Sequence, residues 1–121
     1  MLLVDDNADS TEPLSLLLQA KGHHTRVAVE GEEALSVADE FQPNCVVLDL
    51  GLPGIDGYEV ARRLRDRHGT RLILVALTGW AGKEVRAKAA EAGFDYHLVK
   101  PVNWEELEHI VTGEGVQSRP R

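Results

Sequence analysis

With 121 residues, 43% of them hydrophobic and 27% charged, the chain has the make-up of one ordinary globular domain, long enough to bury a single core and too short for two. That balance excludes disorder, collagen-like repeats and coiled coil. Its 20 acidic and 13 basic side chains leave a formal charge of -7, which argues against nucleic acid and anionic membranes as direct partners and in favour of a metal cation.

Leu2-Leu3-Val4 is a short apolar run that ends in Asp5-Asp6-Asn7, the pattern of a buried strand with acids at its exit. Met1 falls directly on this strand, as expected of a domain boundary or a trimmed start. Leu14, Leu17 and Leu18 then recur at helical spacing, and Lys21-Gly22 supplies a cationic last turn and a stop, which predicts a first helix over roughly residues 8–21. Pro13 removes a backbone donor inside that span, so the helix either starts late, near Ser10, or is distorted at its N-terminus. Leu16 lies off the apolar stripe and is expected to be exposed, a hint of a partner surface. His23 and His24 begin the next strand as neighbours facing opposite ways, which disfavours joint metal ligation.

Thr25-Arg26-Val27-Ala28-Val29 alternates as a second strand. Ala34, Leu35, Ala38 and Phe41 mark the inner face of a second helix, which Pro43 stops. Cys45-Val46-Val47-Leu48-Asp49 is an apolar, β-branched run that delivers one carboxylate where strand gives way to loop. Alone, Asp49 is as much a turn cap as a chemical group. Cys45 is the only cysteine, so no internal disulfide forms, and its apolar setting predicts a packed thiol in a reducing, cytoplasmic compartment. No apolar stretch approaches the ~20 residues of a membrane span, and no signal-peptide pattern opens the chain.

Beyond the loop Gly51-Leu52-Pro53-Gly54, Val60, Ala61 and Leu64 define a third helix ending at His68-Gly69. Arg62, Arg63, Arg65, Arg67 and Arg71 share no stripe and are interrupted by Glu59 and Asp66, so they read as a solvated face. Residues 71–77 are apolar on both faces, as in a central parallel strand. Val85, Ala89 and Ala92 give a fourth helix closed by Gly93. Tyr96-His97-Leu98-Val99 is a fifth strand, and Trp104, Leu107, Ile110 and Val111 a fifth helix. Residues 113–121 have no pattern and are expected to form a flexible tail after a domain of residues 1–112. Gly82 and Gly93 are turn and cap glycines, and no nucleotide-binding loop is present.

Strands and helices in strict alternation, five of each, predict an α/β, doubly wound parallel sheet with helices on both faces. Ligands of such sheets bind beyond the carboxyl ends of the strands. There the chain delivers Asp5 and Asp6, Asp49, Thr78 and Lys100. Three crowded carboxylates need a proton or a cation. Oxygen-only ligands select a hard ion, and Mg²⁺ suits them. With the metal, Asp49 can attack phosphorus, while Lys100 neutralises charge and Thr78 donates a hydroxyl.

These residues, with their intervals of 43 from Asp6 to Asp49, 29 from Asp49 to Thr78 and 22 from Thr78 to Lys100, resemble the receiver domain of two-component response regulators. The likeness runs from Leu2 to about Thr112. The loop from Asp49 to Gly57 is similar to the family's phosphorylation loop at its apolar, proline and final glycine positions. Leu77-Thr78-Gly79-Trp80 and His97-Leu98-Val99-Lys100-Pro101 resemble the receivers of hybrid sensor histidine kinases.

The resemblance implies a flavodoxin-like (βα)5 sheet of strand order 2-1-3-4-5 and a phosphorelay function. Asp49 would take a phosphoryl group from phosphohistidine on a kinase or phosphotransfer protein. Asp6, Asp49 and the Gly51 carbonyl would bind Mg²⁺ directly, Asp5 mostly through water. Lys100 would pair with Asp49 and then with the phosphoryl group, and Lys100-Pro101 is expected to be cis. Thr78 would move toward the phosphoryl oxygen and draw the following loop, changing the face from that loop to the fifth helix where a fused or separate output protein binds. The domain would catalyse its own phosphorylation and dephosphorylation only.

At the position of the family's aromatic switch, three residues before the lysine, stands His97, so a Thr–Tyr coupling does not transfer unmodified. Gly79, Trp80 and Pro101 flank the pocket, and Trp80 either shields the phosphoryl group or packs on the fourth helix. Gly51 and Trp80 occupy places where side chains tune phosphate lifetime. A haloacid-dehalogenase-type phosphatase uses a similar set but wants an acid where Gly51 stands. A flavodoxin-like FMN site is disfavoured by acids in the first loop, and a receiver that is not phosphorylated is the remaining alternative.

Overall fold

A computed structural model describes residues 1–51, 56–79 and 82–112. The elements are β1 (Leu2–Val4), α1 (Ala8–Ala20), β2 (Arg26–Ala28), α2 (Gly31–Phe41), β3 (Cys45–Asp49), α3 (Gly57–His68), β4 (Ile73–Thr78), α4 (Lys83–Ala92), β5 (Tyr96–Val99) and α5 (Trp104–Thr112). A single 3-10 turn, Gly69–Arg71, links α3 to β4. The expected tail of residues 113–121, Trp80 and the loop residues Leu52, Pro53, Gly54 and Ile55 lie outside the described residues.

All strands are parallel, in the order β2-β1-β3-β4-β5 expected from the sequence. The strand period of two sorts the apolar residues between two cores. Leu2, Val4, Val46, Leu48, Leu74 and Ala76 face α2, α3 and α4 through Ala34, Leu35, Ala38, Val60, Ala61, Leu64, Ala89 and Ala92. Leu3, Cys45, Val47, Val75 and Leu77 face α1 and α5 through Leu18, Leu107 and Ile110. β3 is buried at every position, which is why it reads as an unbroken apolar run. Each Leu or Val so buried contributes on the order of 1.5–3 kcal/mol.

Helix ends follow local chemistry. The Asn7 side chain accepts the Asp9 amide (3.0 Å) and that of Asp56 the Tyr58 amide (2.9 Å), capping α1 and α3. Gly93 closes α4 in the left-handed region (φ 104°), and Gln42 does the same for α2 (φ 52°). Of the two expectations for Pro13, a late start is not met: α1 begins at Ala8 and carries the proline inside it. Leu16 is 67% exposed.

One sequence reading is corrected. Arg62 and Arg63 pair with Glu59, and Arg67 with Asp39, on the surface, but Arg65 is no part of a solvated face. Its guanidinium donates to the carbonyls of Gly93, Gly69 and Leu72 and to Asp95 Oδ2 (2.9 Å). Asp95, itself buried, accepts the Leu74 amide with the same oxygen (3.0 Å). Three backbone carbonyls and a buried carboxylate thus gather on one planar fork, a geometry arginine serves better than lysine. The chain reverses near these carbonyls, after α3 and after α4, and Arg65 ties the two reversals together.

Candidate functional site

The parallel register brings the strand exits to one edge. Asp49 pairs with Leu77 and Thr78 with Val99, so Thr78 and Lys100 each stand one step past a neighbour of the strand before. The Lys100 amide donates to the Thr78 carbonyl (2.8 Å), which fixes the start of the β5α5 connection. The Lys100-Pro101 peptide is cis, as expected.

Asp5, Asp6 and Asp49 each present a carboxylate oxygen within 4.8 Å of the others. Asp5 and Asp49 are buried, at 4% and 6% exposure, whereas Asp6 is exposed. Lys100 Nζ lies 2.9 Å from Asp49 Oδ2 and 3.5 Å from Asp5 Oδ2. The other Asp49 oxygen accepts the Gly51 amide (2.9 Å) and the free Asp5 oxygen that of Asn7 (3.0 Å). Both acids therefore close Asx-turns, so the capping role that Asp49 has from its local sequence exists alongside the lysine pairing. Sequence spacing missed that Asn7 serves twice, its amide aiming Asp5 and its side chain capping α1. An Asp two positions before an Asn at a helix start is the signal that could have found it.

The electrostatics follow from this packing. Burial first, and the Asp49 charge after it, push the Asp5 carboxyl above its ordinary range, against the pull of the Asn7 amide and Lys100. For Lys100, burial disfavours the ammonium, but the hydrogen bond and charge of Asp49, joined by Asp5, outweigh it and hold the amine above its usual value. One ammonium shared between two buried carboxylates leaves the cluster negative. An oxygen-only set of this charge fits a hard divalent cation, and Mg²⁺ with few protein ligands matches it.

Thr78 closes β4 and is 7% exposed. His97 lies on β5 with its Nε2 buried and no hydrogen-bond partner among the described residues. Burial, with Arg86 adding to it, holds its imidazole below the ordinary histidine range. Tyr96 and Leu98 pack with the α1/α5 core, so His97 faces the other side of the strand. Gly79 opens the β4α4 connection, and a Cβ there would meet open space. His23 is paired with Glu108 (3.5 Å), apart from the aspartates.

Comparison with known proteins agrees with this geometry. The family model described as "Response regulator receiver domain" matches residues 1–112. The chain is 37% identical over 112 residues to a Leptolyngbya boryana protein known as an uncharacterized 14.6 kDa protein in the sodA1 3' region, covering 92% of this chain and 86% of that one. It is 36% identical over 107 residues to the DNA-binding response regulator MtrA of Mycobacterium tuberculosis, covering 88% of this chain and 46% of MtrA, so it spans less than half of that relative. Among solved structures, a Burkholderia pseudomallei response regulator with a phosphorylated aspartic acid, calcium ion and citrate superposes with a TM-score of 0.82 at 29% identity, covering 89% of this chain and 63% of that one. No helix among the described residues is long and apolar enough to cross a membrane. The match over residues 1–112, carried by a fold whose strand exits hold the acids, the threonine and the lysine together, places this chain in the response regulator receiver domain family of two-component signalling.

Proposed function

We propose that Asp49 is the phosphoacceptor of this receiver and that its modification switches partner binding through the face running from the β4α4 connection to α5. The observation that carries the reading is the setting of Asp49: one oxygen is held by the Gly51 amide and the other by Lys100, beside Asp5 and Asp6.

In the reaction an Asp49 oxygen attacks the phosphorus of a phosphohistidine on a histidine kinase or phosphotransfer domain. An O–P bond forms as the N–P bond breaks, and the imidazole leaves with its electron pair and takes up a proton. Phosphoryl transfer depends mostly on positioning and on stabilising spread negative charge. The Gly51 amide fixes the carboxylate plane, and the Lys100 ammonium stands where charge gathers on the transferred oxygens. Asp6, Asp49 and the Gly51 carbonyl would hold Mg²⁺, with Asp5 acting through water. When bound, the ion supplies neutralisation of the carboxylate cluster and the phosphoryl oxygens.

Thr78, after modification, turns its hydroxyl to the new phosphoryl group and draws the β4α4 connection, while His97 on β5 responds across the same face. The similar Burkholderia pseudomallei response regulator, whose structure has a phosphorylated aspartic acid, supports the phosphoacceptor reading by likeness. A phosphatase of the haloacid dehalogenase type is the second reading, and Gly51, standing where that chemistry wants an acid, counts against it.

Incubation with Mg²⁺ and acetyl phosphate followed by intact mass tests the proposal. The parent protein gains one phosphoryl group and Asp49→Ala gains none. An unmodified parent, or sustained release of phosphate from unrelated monoesters, overturns it.

A further inference from the structure

Pro13 destabilises α1 from within, since past the first turn its ring removes a backbone donor and crowds the preceding turn, and it packs in neither core. The ring stands instead on the wall of a concavity of about 540 Å³ between α1 and the chain that follows β5. Leu14 and Leu17 continue that wall, Val102 belongs to the side formed after β5, and the buried Leu3 and Val47 of β1 and β3 make the floor. The volume is that of a site for a small molecule. The lining is apolar apart from Thr11 on α1 and, at the end next to the aspartate cluster, Asp5 and Lys100.

Each feature selects a property of the occupant. Water in so apolar a space lacks polar partners, so an apolar body displaces it with gain. The charged end sets the sign. Lys100 is already shared between Asp49 (2.9 Å) and Asp5 (3.5 Å) and has little attraction left for an anion. Asp5, Asp6 and Asp49 against that one ammonium leave this end negative, which favours a cation. Asp5 is buried, so salt screens little of its attraction for a charge that reaches it. A bare metal ion answers to the acids alone and makes no use of the apolar walls.

We propose that this concavity binds a small organic cation with an apolar body, of the arylalkylamine class, its ammonium meeting the Asp5 carboxylate and its ring lying over Leu3 and Val47 beside Pro13, Leu14 and Leu17. The site needs only Asp5 and the apolar walls, so it stands whether or not Asp49 is modified. Because the ammonium and Mg²⁺ draw on the same negative charge, each weakens the binding of the other.

The test is a ¹H–¹⁵N NMR titration of the whole chain with phenethylamine at neutral pH. Phenethyl alcohol keeps the body without the charge, ethylamine keeps the charge without the body, and phenylacetate reverses the sign. Phenethylamine is expected to give saturable shifts at the amides of Leu3, Asp5, Leu14, Leu17 and Val102, with the alcohol about tenfold weaker and the other two weaker still. Leu17→Trp, which fills the space with its own side chain, abolishes the shifts, while Leu16→Ser on the exposed side of α1 keeps them. Asp5→Asn removes the advantage of the amine over the alcohol, and keeps the test decisive if the tryptophan variant does not fold. MgCl2, at concentrations that shift the Asp6 amide, weakens the amine and leaves the alcohol unchanged. Equal binding of amine and alcohol, an advantage that survives Asp5→Asn, no saturable shifts at these amides, indifference to MgCl2 at those concentrations, or a cavity that a second copy of the chain covers as protein concentration rises would each overturn the proposal. Intact mass after Mg²⁺ and acetyl phosphate, read without amine, reports the phosphoacceptor reading separately. A chain that gains the phosphoryl group but gives no shifts loses only this site, and one that gives the shifts without the gain loses only that reading.

Discussion

At the scale of single residues, the site is a compromise between charge and burial. Asp5 sits with its carboxyl pushed above its ordinary range beside Asp49, so its negative charge is tolerated and not favoured. Asp5→Asn is expected to stabilise the protein by about 1 kcal/mol at neutral pH without divalent cation. MgCl2 is expected to raise the melting temperature of the parent and the same change to remove most of that gain, and thermal unfolding with and without the salt reads both effects. Cys45 makes a different point about burial. Its thiol is pushed up to about 12 because it lies in the sheet core away from water. The unfolded thiol ionises near 9 and the folded one near 12, so the unfolded state loses its proton first and stability falls as pH rises through that window. In the native protein at pH 8, Cys45 should resist iodoacetamide and react only after denaturation, as mass spectrometry will reveal.

At the scale of elements, strand exits were legible in the sequence and the arginine tie was not. An apolar run that stops in Asp, Thr or Lys announces both a buried strand and the side chain it delivers, and Asp49 at the end of Cys45-Val46-Val47-Leu48 gained its chemical reading only beside the other strand exits. Arg65 gives no such signal. Its partners are carbonyls and a carboxylate as far as 30 residues away, and a backbone carbonyl has no residue identity to read. Replacing Arg65 by Met removes the cation beside buried Asp95 and the guanidinium donors from the carbonyls of Gly93, Gly69 and Leu72. The expected cost is about 3 kcal/mol in urea unfolding, and Lys at the same place should recover little of it. By contrast Leu16→Ser on the exposed side of α1 should change stability by no more than about 0.5 kcal/mol in the same assay.

At the scale of the whole molecule, the sheet order puts the proposed chemistry and the proposed output on adjoining parts of one edge. Spacing alone brought the five site residues to that edge, since a parallel sheet with short connections leaves few ways to arrange them. The concavity of about 650 Å³ between α4 and α5 was beyond such reasoning, because it depends on how those helices are placed beside β5 and not on any run of residue types. Thr78→Ala separates the two regions: it should still gain a phosphoryl group on Asp49 by intact mass, while the amide shifts of α4 and β5 that accompany modification in the parent shrink or vanish. A parent and variant with identical shifts would show that the threonine is not the link.

The outer strand β2 carries a consequence for how the protein behaves in company. It is three residues long, begins with the exposed Arg26, and bends its guanidinium over the Phe41 ring (5.4 Å). A short edge opened by a cation offers a poor template for another chain's backbone, and an arginine occupied with an aromatic face stays in place to guard it. Exposed Val27 on this rim is thereby kept from seeding sheet-to-sheet stacking at high concentration. Arg26→Val, which makes the rim a continuous apolar ribbon, should make light scattering rise on prolonged incubation while the monomer's fold is unchanged.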